Sequence, residues 1–321
     1  MCRVLAVVCR SCDSGSLPSH GEPGPPERRR RRRWLGRVTA QDKHAIETRD
    51  LSVRFGEVPG VLDLNLAVHV GEVYGFLGPN GAGKTTTIRL LLDLLRPDVG
   101  EVRLFGSEVR AGGAALRAHV GFLPGDLALF PFLNGFQTLR FLEGLSGREA
   151  KLRDQLLERL RFPLDALKRP VRTYSTGMRQ KIGIVAAFQH DPRLLVLDEP
   201  TTGLDPIVRD AFIELVNDRR AAGRTVFLSS HVLDEIDRCA DRVGLIAGAR
   251  LRMESTVSEL RESRPRTVVL RYADGRRESR QHHGDPRELL DQIPRDGLVE
   301  VEIRPATLDE VFRSVVGEDT R

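Results

Sequence analysis

Three short stretches of this 321-residue chain gather residue types that do chemistry on phosphate and metal. The first reads Gly78-Pro79-Asn80-Gly81-Ala82-Gly83-Lys84-Thr85 and runs on into Thr86. It satisfies GxxxxGK[ST], with a strand-like apolar run directly before it and a helical pattern directly after, and so reads as a P-loop. Its glycines let successive backbone N–H groups turn inward around phosphate oxygens, while the helix N-terminus adds partial positive charge. Lys84 then suits the β and γ phosphates of a nucleotide, and the Thr85 hydroxyl suits Mg²⁺. A glycine-rich turn without a ligand is the bland alternative, and strand, helix and Lys-Thr together weigh against it.

The second stretch, Arg193 to Glu199, is an apolar strand that delivers two carboxylates at its C-terminal end, the edge where open α/β sheets bind ligands. Asp198 suits Mg²⁺ as a hard oxygen ligand, and Glu199 suits a general base that polarises the attacking water. Taken alone, two solvated acids at a strand end read about as well; the glycine loop elsewhere tips the balance. The third stretch, Tyr174-Ser175-Thr176-Gly177-Met178-Arg179-Gln180, precedes an apolar helix. By physics alone its hydroxyl and glycine make a helix cap able to present N–H groups to an anion.

The elements that must position these residues can be read from periodicity. From Ala45 come β-type runs, AIETRDLSVRF, VLDLNLAV and EVYGFLG, the last apolar enough to be buried on both faces. Apolar residues at helical spacing predict a helix from about Gly83 to Arg96, stopped before Pro97. Later apolar strands at 194–197, 226–228 and 243–246 alternate with helices at about 206–222 and 232–240, the pattern of a mainly parallel α/β sheet. Residues 114 to 188 read as a helical insertion, with GFQTLRFLEGL and REAKLRDQLLERL as its clearest pieces. After Pro265 the order strand, Asp274-Gly275 turn, strand, helix (DPRELLDQI), strand, helix (TLDEVFRSVV) predicts a small α+β appendix over 263–321.

Composition narrows the partners. The net charge of +5 sits at one end: residues 1–43 hold ten Lys/Arg against four Asp/Glu, leaving 40 against 41 in the remainder. A near-neutral body gives no electrostatic reason to expect nucleic acid. Residues 13–33 are rich in Pro, Gly and Ser and close on an arginine run, so 1–43 is expected to be a disordered basic leader. The residues after the arginines lack the apolar stretch of a secretory peptide. Cys9 and Cys12 form a CRSC spacing without a second pair or nearby His, so they read as incidental thiols. One cysteine in the body, Cys239, builds no disulfide framework and points to a reducing, cytoplasmic home. No run approaches the roughly 18 to 20 apolar residues of a membrane-spanning helix.

YSTGMRQ ahead of LLVLDEPTTGLDP and after GPNGAGKTTT, completed by Leu228-Ser229-Ser230-His231, resembles the ABC ATPase family over about residues 45–255. Five motifs in order are far more specific than any one. The resemblance implies an α/β fold with a P-loop NTPase (RecA-like) core, an antiparallel β subdomain, a helical insertion and the small C-terminal α+β extension. It also implies ATP and Mg²⁺, and a head-to-tail homodimer in which Ser175 and Gly177 act in trans on the γ-phosphate. Asp205 would lie in the D-loop at the dimer seam, His231 would be the switch histidine, and Phe55 in RFG would stack on adenine. For a lone Phe in a β-run, core packing reads equally well.

YSTGMRQ, LPGD and the C-terminal PATLDEVF are similar to the daunorubicin-resistance and other antibiotic-export subunits. That subclass implies a motor on the inner face of the cell membrane, held there by a separate permease of about six transmembrane helices. The competing class is an ABC ATPase that works without a permease, in translation or DNA maintenance. Such proteins carry tandem cassettes, a zinc module or a long coiled coil; this chain has one P-loop, no ligand cluster and no sustained heptads. One departure from the family pattern bears on chemistry. Gly125 stands where the family places a glutamine, and Asp126 beside it is the candidate to take over the Mg²⁺ or lytic-water contact.

Overall fold

A computed structural model of the chain describes residues 43–262, 266–282, 293 and 296–305. The expected leader therefore lies outside the described residues apart from Lys43, as do the two helices expected in the appendix apart from Ile293.

The chain opens with β1 (His44–Phe55) and β2 (Val58–His69), an antiparallel pair, and enters the interior as β3 (Val73–Leu77). Every residue of β3 is buried, as its continuous apolar run requires. Helix α1 (Lys84–Leu91) follows the glycine loop, then β4 (Val99–Leu104), β5 (Ser107–Glu108), α2 (Val109–Arg117) and β6 (Val120–Leu123). Three helices come next: α3 (Gly135–Ser146), α4 (Arg153–Arg159) and α5 (Thr176–Phe188). The second half alternates β7 (Leu194–Asp198), α6 (Pro206–Ala221), β8 (Thr225–Ser230), α7 (Leu233–Cys239), β9 (Arg242–Ala247), β10 (Arg250–Thr256) and α8 (Val257–Glu262). Strands β11 (Arg266–Tyr272), β12 (Arg277–His282) and β13 (Leu298–Pro305) close the described chain.

Three sheets result. β2-β1-β4-β5 is antiparallel throughout. The main sheet has the order β10-β9-β3-β8-β7-β6, parallel except for the edge pair β10 and β9. Alternation along β3 divides the core: Tyr74 and Phe76 pack with the antiparallel sheet and α1, while Val73 and Leu77 face the cluster built by α5, α6 and α7. The third sheet, β12-β11-β13, has the Asp274-Gly275 hairpin at the sequence-predicted place, with Gly275 at φ 84°.

Three sequence expectations change in detail. α1 ends at Leu91, short of Arg96, because Asp93 takes a left-handed backbone conformation (φ 56°) that turns the chain toward β4. The segment at 114–188 is not wholly helical: Val120–Leu123 pairs in parallel with β7 and belongs to the main sheet. Four apolar residues are too few to show a period, so only the pairing reveals the strand. Of REAKLRDQLLERL only Arg153–Arg159 is α-helical; Ala150 N–H bonds the Glu143 carboxylate and Leu152 N–H bonds Gln189 O, each diverted to a tertiary partner. Among the described residues no helix is long and apolar enough to cross a membrane.

Candidate functional site

The parallel strand order brings four loops together. β3, β8, β7 and β6 are successive neighbours, so the loops leaving their C-terminal ends, beginning at Gly78, His231, Glu199 and Pro124, open on one edge. Glycine is required at two points of the first loop. A Cβ on Gly78 would meet Ile246 O at 2.3 Å, and Gly83 combines φ 113° with an approach of 2.6 Å to Gly60 O. Gly83 is also the N-cap of α1, and no side chain caps that helix, which leaves first-turn N–H donors for an anion.

Lys84 is only 6% exposed. Its Nζ donates to Gly78 O at 2.6 Å and to Pro79 O at 3.3 Å, and lies 3.3 Å from Glu199 Oε1. Thr85 Oγ1 donates to Asp198 Oδ2 at 2.8 Å, so the two oxygens expected at a metal already meet. Asp198 is 1% exposed, and its second oxygen accepts from Ser229 Oγ at 2.6 Å. Ser229 also receives the Glu199 N–H on its Oγ and its carbonyl, both at 3.2 Å. It stood in a quoted motif but carried no assigned role; its place on β8 beside β7 is what reveals it.

Glu199 adopts φ 49°, a left-handed conformation costly for a side chain of this kind and found where a site over-determines the backbone. That turn carries its carboxylate off the strand axis to meet His231 Nδ1 at 2.6 Å. One carboxylate thus touches both the lysine of the glycine loop and the histidine after β8. Phe55 is 52% exposed, which removes the core-packing alternative. Its ring lies against Gly60, where an added Cβ would meet Phe55 Cε2 at 2.7 Å and Thr86 Cγ2 at 3.2 Å. The aromatic face therefore sits on the flank of the glycine loop.

Other expected residues stand apart from this cluster. Ser175 is exposed and its Oγ caps α5 by accepting the Met178 N–H at 3.2 Å. Asp205 caps α6 in the same way, accepting the Val208 N–H at 3.0 Å ahead of Pro206. Gly177 approaches Gly203: a Cβ there would meet Gly203 O at 2.9 Å. Buried Gln180 ties the same helix to this turn by donating to Pro200 O at 2.7 Å, a bond the motif spacing did not suggest. Gly125 lies against the metal-type acid, since a Cβ on it would stand 3.2 Å from Asp198 Oδ2. Asp126 is exposed and makes no hydrogen bond or ion pair among the described residues.

A parallel sheet that presents a phosphate loop, two strand-end acids and a histidine at one edge is the construction of a P-loop ATPase. The sequence profile of the family described as "ABC transporter" matches residues 61–202. The chain is 36% identical to the daunorubicin/doxorubicin resistance ATP-binding protein DrrA of Streptomyces peucetius, over 87% of this chain and 94% of that one. It is 38% identical to the bacitracin transport ATP-binding protein BcrA of Enterococcus faecalis, over 73% of this chain and 76% of that one. A solved ATP-binding subunit of an ABC transporter superposes with a TM-score of 0.64 at 25% identity, covering 84% of this chain and 99% of that one. A dimeric bacterial ABC transporter cassette shares the fold, with a TM-score of 0.59 at 20% identity over 66% of this chain and 98% of its own. The chain belongs to the ABC transporter family as an ATP-binding subunit, and its activity is ATP hydrolysis.

Proposed function

We propose that this subunit powers an exporter of drugs, antibiotics or other lipophilic compounds, acting on the cytoplasmic face of the membrane through a separate permease of about six transmembrane helices. One observation carries the reading: likeness to a relative named for daunorubicin/doxorubicin resistance spans 94% of that protein. A shared cassette alone would not extend so far. The N-terminal cassette (44–262, with its helical part within 114–188) is the motor, and 263–321 is an appended extension.

Within the motor the glycine loop, residues 78 to 83, wraps the ATP phosphates with backbone N–H groups of its non-proline residues, and Lys84 meets their negative charge. Phe55 offers its face to the adenine, and Thr86, whose methyl lies beside Gly60 next to the Phe55 ring, is a further nucleotide-binding residue. Thr85 and Asp198 supply two hard oxygens, too few to cage a divalent ion alone but suited to Mg²⁺ beside phosphate oxygens and waters. Bound there, Mg²⁺ would neutralise charge on the phosphates. Glu199 takes the proton of the attacking water, and His231, bonded to it at 2.6 Å, orients that carboxylate and reaches toward the γ-phosphate. Ser175 and Gly177 serve the ATP of a second copy in a head-to-tail homodimer, with Asp205 at the seam. The exposure of Ser175 and Asp205 and their purely local bonds in one chain support that role.

Removing the gene from its source cells tests the export reading. Sensitivity to anthracyclines or bacitracin should rise, and the intact gene but not Lys84→Ala should restore resistance. Unchanged sensitivity, together with failure of the tagged chain to retain a polytopic membrane protein from solubilised membranes, would overturn it.

A further inference from the structure

One acidic side chain has no part in the chemistry described above, yet it is bonded to both segments that perform it. Glu235, on α7, is 2% exposed. Its Oε2 accepts from Thr201 Oγ1 at 2.8 Å and from Ser230 Oγ at 3.3 Å. Its Oε1 lies 3.3 Å from Arg209 Nε, an ion pair without the alignment of a hydrogen bond.

Each partner lies next to a working residue. Thr201 follows Glu199 by two positions, in a tight turn where Thr202 N–H bonds Glu199 O and Leu204 N–H bonds Thr201 O. Ser230 directly precedes His231 and also receives the Val232 N–H on its hydroxyl at 2.9 Å, which fixes the backbone on the far side of the histidine. Arg209 stands in the helix that Asp205 caps. The groups facing Glu235 are thus Thr201, Ser230 and Arg209, with the Glu199 charge nearby. Burial raises the Glu235 carboxyl above the usual range, opposed by the Thr201 bond and Arg209. A buried acid is costly unless it is hydrogen-bonded and paired, as this one is by the two hydroxyls and Arg209.

We propose that Glu235 is a positioning residue for hydrolysis: its buried carboxylate fastens the turn after Glu199 and the loop that carries His231 to one point, and so sets their meeting. The inference rests on the assignment of Glu199 and His231 to the hydrolytic step. Glu199 and His231 reach each other across two loops with no strand pairing between them at that point. Ser229 holds the Glu199 N–H at the strand end, and the shared buried acceptor adds a second tie, beyond Glu199 and ahead of His231, that keeps the 2.6 Å contact in its geometry.

The test uses the full chain with three variants: Glu235→Ala, Glu235→Gln and the near-isosteric Thr201→Val, which loses a hydroxyl in place of a charge. Glu235→Ala should lower kcat about tenfold or more with the KM for ATP within about twofold, since loss of positioning is felt in the reacting geometry and not in phosphate binding. Thr201→Val should shift kcat in the same sense by about threefold, and Glu235→Gln, which keeps one acceptor oxygen, should recover part of the loss. Histidine ring NMR signals, with His231 assigned through His231→Gln, give a readout independent of turnover. They should move in Glu235→Ala and in Thr201→Val. His231 signals unchanged in Thr201→Val, or a Glu235→Ala defect confined to KM, would overturn the positioning role. A Glu199→Gln variant that hydrolyses ATP normally while the His231 signals still respond to Glu235→Ala would instead overturn the assignment of Glu199 and leave the fastening intact.

Discussion

Two regions of this molecule carry the family's motifs and treat their polar groups in opposite ways. At the edge formed by β3, β8 and β7, Lys84 and Asp198 are buried, Glu199 holds a left-handed backbone conformation, and the side chains bond to one another across strands. At the start of α5 and of α6, Ser175 and Asp205 are exposed, unstrained, and satisfied by their own helices. The first region spends stability to preorganise chemistry within one chain. The second is satisfied locally, and under the proposed homodimer it would act on an ATP held by a second copy. Strain and cross-strand bonding thus mark the edge whose side chains meet within one chain, and the exposed caps are where the proposed homodimer would add its contacts.

The severest test of that contrast is Glu199→Gln. Loss of the base at the preorganised edge should cut steady-state ATP turnover by about 10²-fold or more while ATP binding persists, and a nucleotide-bound dimer should accumulate on size-exclusion chromatography. Near-normal turnover would show that Glu199 is not the base. Lys84→Ala should act one step earlier and weaken ATP affinity by about 10- to 100-fold, the cost of about 1.5–3 kcal/mol for a bond to a charged group. Titration with a fluorescent ATP analogue checks this, and equal affinity in both proteins would remove Lys84 from the phosphates.

Ser175→Ala probes the second region. Loss of the cap should lower stability by about 1 kcal/mol, read from denaturant midpoints, and ATP-driven dimerisation of a Glu199→Gln background should also be lost. If dimerisation survives with only the stability change, Ser175 is a cap and nothing more. The smallest effects are expected where the sequence departs from its family. Asp126→Ala should leave kcat within about twofold at saturating ATP and Mg²⁺, because the residue is exposed and unbonded. A tenfold fall would instead bring its carboxylate to the cation. Gly125→Gln should change kcat more than Asp126→Ala does, since any side chain there begins 3.2 Å from Asp198 Oδ2.

Local chemistry made much of this protein readable in advance. A phosphate loop needs glycines, a lysine and a hydroxyl at fixed spacing between a strand and a helix, and Gly78 to Thr85 states that in eight consecutive residues. Buried parallel strands need unbroken apolar runs, so β3, β7 and β8 announced themselves, and an Asp-Gly pair announced the last hairpin. The tertiary structure decided what depends on neighbours distant in sequence. Val120–Leu123 became a strand only because β7 lay open beside it, and α4 shrank because Leu152 N–H found Gln189 O. Phe55 could be judged only by whether anything covered it. Ser229, Thr201, Gln180 and Glu235 owe their bonds to strand order and helix packing, which place residues 20 to 34 positions apart within hydrogen-bonding distance. Spacing along the chain encodes what one loop can bind; which loops share a site is set by the order in which strands pair.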